Sequence, residues 1–182
     1  GHCEIEYEGL EIPDEHRLLG VGDGLKVTQI RLGTARLTHC MRWLGLARRS
    51  LAIALDYTAM RRTAGGRPLA ALEGVQRMLA EAAMDIEIGR LLTMRAAAKL
   101  DQGDFARKEV SMAKVFVADT LHKAVDVALQ LNGARGYSED TVLEWIYRYA
   151  RQARLVDGAS EVHQGVLAGF LQKERDAFWR WD

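Results

Sequence analysis

No proline occurs after Pro68 in this 182-residue chain, and only one other, Pro13, precedes it. Proline lacks the backbone donor a helix interior needs, and its ring clashes with the preceding turn. A stretch as long as 69–182 without one can therefore run as long, unbroken helices. The residues that fill it point the same way, since Ala, Leu, Met, Arg, Glu and Gln stand at the top of the helix-propensity order. Glycine and asparagine, not proline, supply the punctuation.

The periodicity sorts this stretch into elements. From about 25 to 61, Leu37, Cys40, Met41, Leu44, Leu51 and Leu55 recur at spacings near three and four, one stripe of a long helix that Gly65, Gly66 and Pro68 close. A second helix is predicted over about 73–100, with Met78, Leu79, Ala82, Ala83 and Ile86 facing inward. Asp101-Gln-Gly-Asp104 reads as a turn with Asp104 as N-cap of a third helix, about 105–131, which ends at the C-cap signal Asn132-Gly133. A short helix follows Ser138 and another follows Asp157-Gly158. Long helices joined by short loops imply an all-α fold, an antiparallel (up-and-down) four-helix bundle. The N-terminus is different. His2-Cys3-Glu4-Ile5-Glu6-Tyr7-Glu8 alternates polar and apolar residues, so a short N-terminal β-strand segment is predicted before the breakers Gly9, Pro13 and the Gly20–Gly24 cluster.

Charge narrows the function. The chain has 25 basic and 25 acidic residues and a formal net charge of zero. No basic bias points to nucleic acid, and no apolar run reaches the roughly 18 residues of a membrane span. Cys3 and Cys40 make no disulfide framework, which fits a reducing compartment. A di-metal bundle site would need Glu-x-x-His on two helices, whereas only Asp119-x-x-His122 comes near it, so no metal is expected. His39 and His163 read as structural or surface histidines.

Three segments could carry chemistry. Asp157 lies on a short loop between two helical patterns, followed by Gly158, Ala159, Ser160 and Glu161. A loop aspartate before a helix is ordinarily an N-cap. A functional aspartate there is a base, its pKa raised by burial against Leu155 and Val156. In Gln130-Leu-Asn-Gly133-Ala-Arg-Gly136-Tyr137, the glycines allow either a plain helix end or close backbone approach to a phosphate or ribose. Arg61-Arg-Thr-Ala-Gly65-Gly-Arg-Pro68 is either a solvated basic helix end or an arginine forked onto a pyrophosphate.

Read in order, these segments resemble the acyl-CoA dehydrogenase family over almost the whole chain. Gly45-Leu-Ala47 resembles the family's Gly-Leu-Ala in its first C-terminal helix, and Arg61 or Arg62 with Gly66-Arg-Pro-Leu69 resembles its Arg-x-x-Phe-Gly-x-Pro loop. Leu79-Ala-Glu81-Ala-Ala-Met84 resembles its Leu-Ala-Glu-Met run. Gln130 to Gly136 is similar to its Gln-x-x-Gly-Gly-x-Gly, and Asp157-Gly158 falls where Glu-Gly-Thr is usual. The run Asp-Gly-x-x-Glu-Val-His resembles a subgroup in which aspartate is the usual residue, one that includes animal members fused to a phosphotransferase-like domain.

The resemblance implies a flavoenzyme of fatty acid metabolism, with residues 1–23 the end of a middle β-domain and its linker and 24–182 the C-terminal helical bundle. It implies FAD as cofactor, an acyl-CoA as substrate, electron-transferring flavoprotein as electron acceptor, and a homodimer or homotetramer, in a bacterial cytoplasm or mitochondrial matrix. Asp157 is implied as the base, and Arg36 and Gly158 as substrate contacts. Arg61 or Arg62, with Gln130, Leu131, Asn132, Gly133 and Ala134, is implied to meet a partner subunit's FAD. Ala159, Ser160 and Glu161 are implied to meet their own. Departures from the pattern are Asp for Glu at 157, Ala64 and Gly65 for Thr and Phe, Ala159 for Thr and Glu161 for Gln. A non-catalytic helical oligomerisation module is the competing reading.

Overall fold

The computed structural model describes residues 3–180. The expected helices form. Here α1 spans Gly24–Met60, α2 Glu73–Asp101, α3 Arg107–Asn132, α4 Ala134–Tyr137, α5 Leu143–Gln152 and α6 Ser160–Glu174. Three of the six are long, and these three pack on one another. The shorter α5 and α6 lie against α3.

The joints follow from local chemistry. Helix α1 stops where Arg61 turns extended, and a tight loop folds back through Thr63 N–H to Arg67 O (2.8 Å) and Leu69 N–H to Arg61 O (2.8 Å). Asp104 does not cap α3. Its Oδ1 accepts from Ala106 N–H (3.1 Å), and Ala106 itself, left-handed at φ 46°, precedes the helix. Gly133, at φ 60°, ends α3 as the Asn-Gly pair predicts.

The central helix is α3. Its Ala113, Val117, Leu121, Val125 and Ala128 are fully buried against Cys40, Trp43, Ala47 and Ala54 of α1, Ile86 of α2, and Leu143, Ile146 and Ala150 of α5. Small residues on α1 let the helices approach closely. Where α1, α2 and α3 meet, a Cβ on Gly89 would stand 3.0 Å from Leu44 Cδ2 and 3.1 Å from Val117 Cγ2. The predicted stripe is therefore displaced. Leu37, Cys40 and Leu44 are buried, but Met41 and Leu55 are exposed, as is Ala83 on α2. The inward face of α1 runs instead through Trp43, Ala47, Ser50, Ala54 and Thr58.

The N-terminal strand is not present. Residues 3–8 are exposed and pair with nothing among the described residues, and His2 lies outside them. An alternating segment becomes a strand only when another strand meets its backbone groups, and none is present among the described residues. Among the described residues no helix is long and apolar enough to cross a membrane.

Candidate functional site

Five side chains from three helices converge on the turn at Asp157 and Gly158. Helix α1 presents Arg36 and His39 one turn apart, α3 presents Ser111 and Lys114 one turn apart, and α6 presents His163. Between α5 and α6 the chain takes two left-handed steps, Asp157 at φ 53° and Gly158 at φ 98°. Aspartate is among the few side chains that tolerate the first, and the second favours glycine.

Side chains from three helices grip this turn by its carbonyls. Asp157 O accepts from Arg36 Nε (2.9 Å) and from His163 Nε2 (3.2 Å). That fixes the tautomer of His163: its Nδ1 is the acceptor for the Ser111 hydroxyl at 3.0 Å. Gly158 O accepts from Lys114 Nζ at 2.7 Å, and Lys114 is fully buried. The fit is close, since a Cβ on Gly158 would meet His163 Nε2 at 3.0 Å.

The Asp157 side chain itself is not a helix cap. Ala159 takes the N-cap position of α6, with no side-chain hydrogen bond. The Asp157 carboxylate turns toward α1 instead, where Oδ2 stands 3.5 Å from His39 Nδ1. Both atoms are buried and neither has a hydrogen-bond partner. The apolar shield expected around this carboxylate is incomplete: Val156 is partly buried against the core, but Leu155 is 57% exposed, and the groups that contact the turn are cationic or polar. Burial lowers the pKa of Arg36, His39, Lys114 and His163. In Arg36, His39 and Lys114 it outweighs the attraction of Asp157, and in His163 it outweighs the hydrogen bond to Asp157 O. Both imidazoles are therefore neutral at neutral pH, and the His39–Asp157 contact joins a neutral ring to a carboxyl group.

Arg36, Ser111 and His163 also line a cleft of about 1210 Å³ between the N-terminal half of α1, the start of α3 and α6. The remaining expected residues divide by place. Ala159 and Ser160 adjoin the turn, where the Ser160 hydroxyl is buried with no partner, and Glu161 is exposed. Arg61 and Arg62 lie beyond the far end of α1, roughly 37 Å along the helix from Arg36 at about 1.5 Å per residue. Both are exposed and form no ion pair among the described residues. Gln130, Gly133 and Ala134 are exposed at the end of α3, but the Leu131 side chain is packed into the core and the Asn132 amide donates to Ala128 O (2.8 Å). A smaller cleft of about 340 Å³ at that end is lined by Tyr57, Met60, Asn132, Arg135 and Thr141. Thus Asp157, Gly158 and Arg36 come together at one site, and the arginine pair and the Gln130–Ala134 segment do not join it.

Sequence reasoning missed His39, Ser111 and Lys114. Lys114 left a signal: it interrupts the apolar stripe Val110, Ala113, Val117, Leu121, a position where a charge needs a specific partner. Asp119 and His122 serve other contacts, an ion pair to Arg154 at 3.3 Å and the Tyr147 ring. Among the described residues no group of three or more His, Cys, Asp or Glu side chains is placed to hold a metal ion.

Residues 22–171 match the family profile described as acyl-CoA dehydrogenase, C-terminal domain. The "Probable acyl-CoA dehydrogenase FadE2" of Mycobacterium tuberculosis is 38% identical over 181 residues, 98% of this chain and 44% of that protein. Acyl-CoA dehydrogenase family member 11 of Gallus gallus is 39% identical over 170 residues, 92% of this chain and 22% of that protein. The solved butyryl-CoA dehydrogenase of Megasphaera elsdenii superposes with a TM-score of 0.84 at 30% identity, covering 88% of this chain and 42% of that one. The chain thus spans less than half the length of each.

Proposed function

The chain belongs to the acyl-CoA dehydrogenase family, whose C-terminal domain it carries, and on that premise we propose that it is the C-terminal part of an FAD-dependent enzyme that dehydrogenates an acyl-CoA thioester between Cα and Cβ. Residues 24–182 serve as the up-and-down bundle of that enzyme, and 1–23 as the end of its middle β-domain and the linker.

The observation that carries the reading is the Asp157 carboxylate. A buried carboxylate oxygen with no hydrogen bond, on a left-handed residue, is a costly arrangement for a purely structural turn. It suits a base held for a task, whose other oxygen, Oδ1, makes no hydrogen bond or ion pair among the described residues and keeps its lone pairs for a proton. Asp157 takes the α proton. The Gly158 N–H, which donates to nothing among the described residues, offers a hydrogen bond to the thioester oxygen as enolate charge develops. Arg36 holds the Asp157 carbonyl and lines the cleft beside it, so it fixes the base and faces the substrate at once.

The residues present fit FAD. The partnerless Ser160 hydroxyl lies beside the turn, with Ala159 and Glu161, to meet the flavin of the same subunit. At the other end, Arg61 or Arg62 with Gln130, Gly133 and Ala134 are left open for a partner subunit's FAD, while Leu131 and Asn132 are buried behind them, and no atom lies within 4 Å of a Cβ built on Gly65, Gly66 or Gly133. When bound, FAD supplies the acceptor for the β hydride, and electron-transferring flavoprotein then takes the electrons. Subunit association has support of its own. Met84, Ile88, Leu91 and Met94 recur along one exposed face of α2, at 61%, 42%, 62% and 61% exposure, as a homodimer or homotetramer contact would require. The same face favours the oligomerisation-module reading, in which Asp157 has no chemical task.

Asp157→Asn in the FAD-loaded full-length protein separates the two readings. Flavin bleaching by acyl-CoA is expected to slow by about 10²–10⁴-fold, the scale of a general base. Wild-type bleaching in that variant, or a colourless protein that takes up no FAD, would overturn the enzymatic reading.

A further inference from the structure

We propose that His39 is a positioning residue for the Asp157 base: its neutral ring donates from Nδ1 to Asp157 Oδ2 and holds the carboxylate in the orientation that receives the substrate proton. This rests on the function proposed above. One helix then holds both ends of one residue. Arg36 anchors the Asp157 carbonyl at 2.9 Å, and His39, one turn further along α1, faces its carboxylate.

Nδ1 and Oδ2 stand 3.5 Å apart, roughly 0.5 Å beyond a good N–H···O bond. Both are shut off from solvent, and neither has another partner. Two orphaned buried atoms that face each other are each satisfied by one small movement. Hydrogen bonds to catalytic groups are often long in the free protein and tighten once substrate is in place. The ring is already oriented, edge-on to buried Trp43 at a centroid distance of 5.3 Å.

The ring must act as a neutral donor. The charged groups acting on it are Asp157 from the turn, Arg31 and Arg42 from its own helix, and Lys114 from α3. Of these only Asp157 favours a protonated ring, and burial opposes it most. A cationic imidazole would pin the carboxylate as an ion pair and oppose its taking up a proton. A neutral Nδ1–H restrains the same oxygen while leaving the carboxylate free to be protonated.

The test uses FAD-loaded full-length protein, with butyryl-CoA and palmitoyl-CoA as probes and flavin bleaching as readout. His39→Leu is expected to lower kcat by about tenfold to a hundredfold, the scale of a misplaced reacting group, with KM within about twofold. His39→Asn places an amide N–H near the position of Nδ1 and is expected to recover the rate to within about threefold. The α-deuterium isotope effect is expected to grow in His39→Leu. Equal losses in Leu and Asn variants would overturn the proposal, because the ring would then matter only for packing on Trp43. A wild-type rate in His39→Leu while Asp157→Asn is dead would overturn it and leave the base intact. Wild-type rates in both would overturn the enzymatic reading itself. A second readout needs neither turnover nor substrate. In protein labelled with nitrogen-15 in histidine, the neutral His39 ring is expected to carry its proton on Nδ1 and to move it to Nε2 in Asp157→Ala. An Nε2–H tautomer in the wild type would overturn the proposal.

Discussion

Alanine at position 158 probes whether the turn is held as tightly as its hydrogen bonds imply. Gly158 lies at φ 98°, where an L side chain is strained by on the order of 1–3 kcal/mol. The added Cβ would also meet His163 Nε2 at 3.0 Å and Cδ2 at 3.5 Å. That ring has little freedom to recede. It is 4% exposed and bonded at both nitrogens, to Asp157 O at 3.2 Å and Ser111 Oγ at 3.0 Å. Moving it forfeits at least one hydrogen bond, about 0.5–1.5 kcal/mol. The two effects sum to roughly 2–4 kcal/mol of destabilisation. Gly165→Ala is the internal control, in the middle of α6, exposed, with no atom within 4 Å of the new Cβ. There the substitution is expected to stabilise by about 0.5–1 kcal/mol. Urea unfolding followed by far-ultraviolet circular dichroism measures both. In thermal melts Gly158→Ala is expected to fall by roughly 5–15 °C, at about 2–4 °C per kcal/mol for a chain of this size. If Gly158→Ala unfolds within about 0.5 kcal/mol of the wild type, the turn relaxes without penalty and the grip of Arg36, Lys114 and His163 is not a constraint.

Two further outcomes follow from buried titratable groups. Burial holds the His163 pKa below 6.5, against the hydrogen bond to the Asp157 carbonyl, so the unfolded chain binds the proton more readily than the folded one. The stability this neutral ring contributes is present above 6.5 and is lost as pH falls from there through the folded value, with a slope of at most about 1.4 kcal/mol per pH unit. Urea midpoints measured across that range are expected to fall less steeply in His163→Gln than in the wild type. Burial likewise pushes the Cys40 thiol up to about 12, with Lys114 only partly opposing it. A thiol reagent is expected to label exposed Cys3 at once and Cys40 only after denaturant is added.

What the sequence made legible was what is local. Helix ends lie where glycine, asparagine and extended residues interrupt the pattern, and the predicted bounds lie within two residues of those of α1, α2 and α3. The failures were long-range. An alternating run near the N-terminus carries the period of a strand, but no neighbouring strand that would complete it lies among the described residues. Met41 and Leu55 satisfy a helical stripe, yet the close crossing of α1 and α3 selects the small residues Ala47, Ser50 and Ala54. The site divides in the same way. Asp157 and Gly158 are adjacent and stand out on their own, whereas Arg36 and Lys114 reach the turn across 121 and 44 residues of chain. Nothing in their spacing announces that contact, and only Lys114, a charge within an apolar stripe, was visible as a misfit.

The short acid and the turn account for one another. Aspartate gives up about 1.5 Å of reach relative to glutamate, one carbon–carbon bond. It is also several-fold enriched in the left-handed region that residue 157 occupies at φ 53°. Because Arg36 and His163 hold the carbonyl of the same residue, the backbone cannot advance to restore the lost reach. The location of the carboxylate is therefore set by three helices and by two side-chain torsions instead of three. Fewer torsions leave less rotamer entropy to remove when the group is aligned. A glutamate here would carry an extra methylene into the space toward His39, which already stands 3.5 Å from Oδ2. In this turn the added length would become collision, and the shorter side chain is the one whose position the surrounding helices can define.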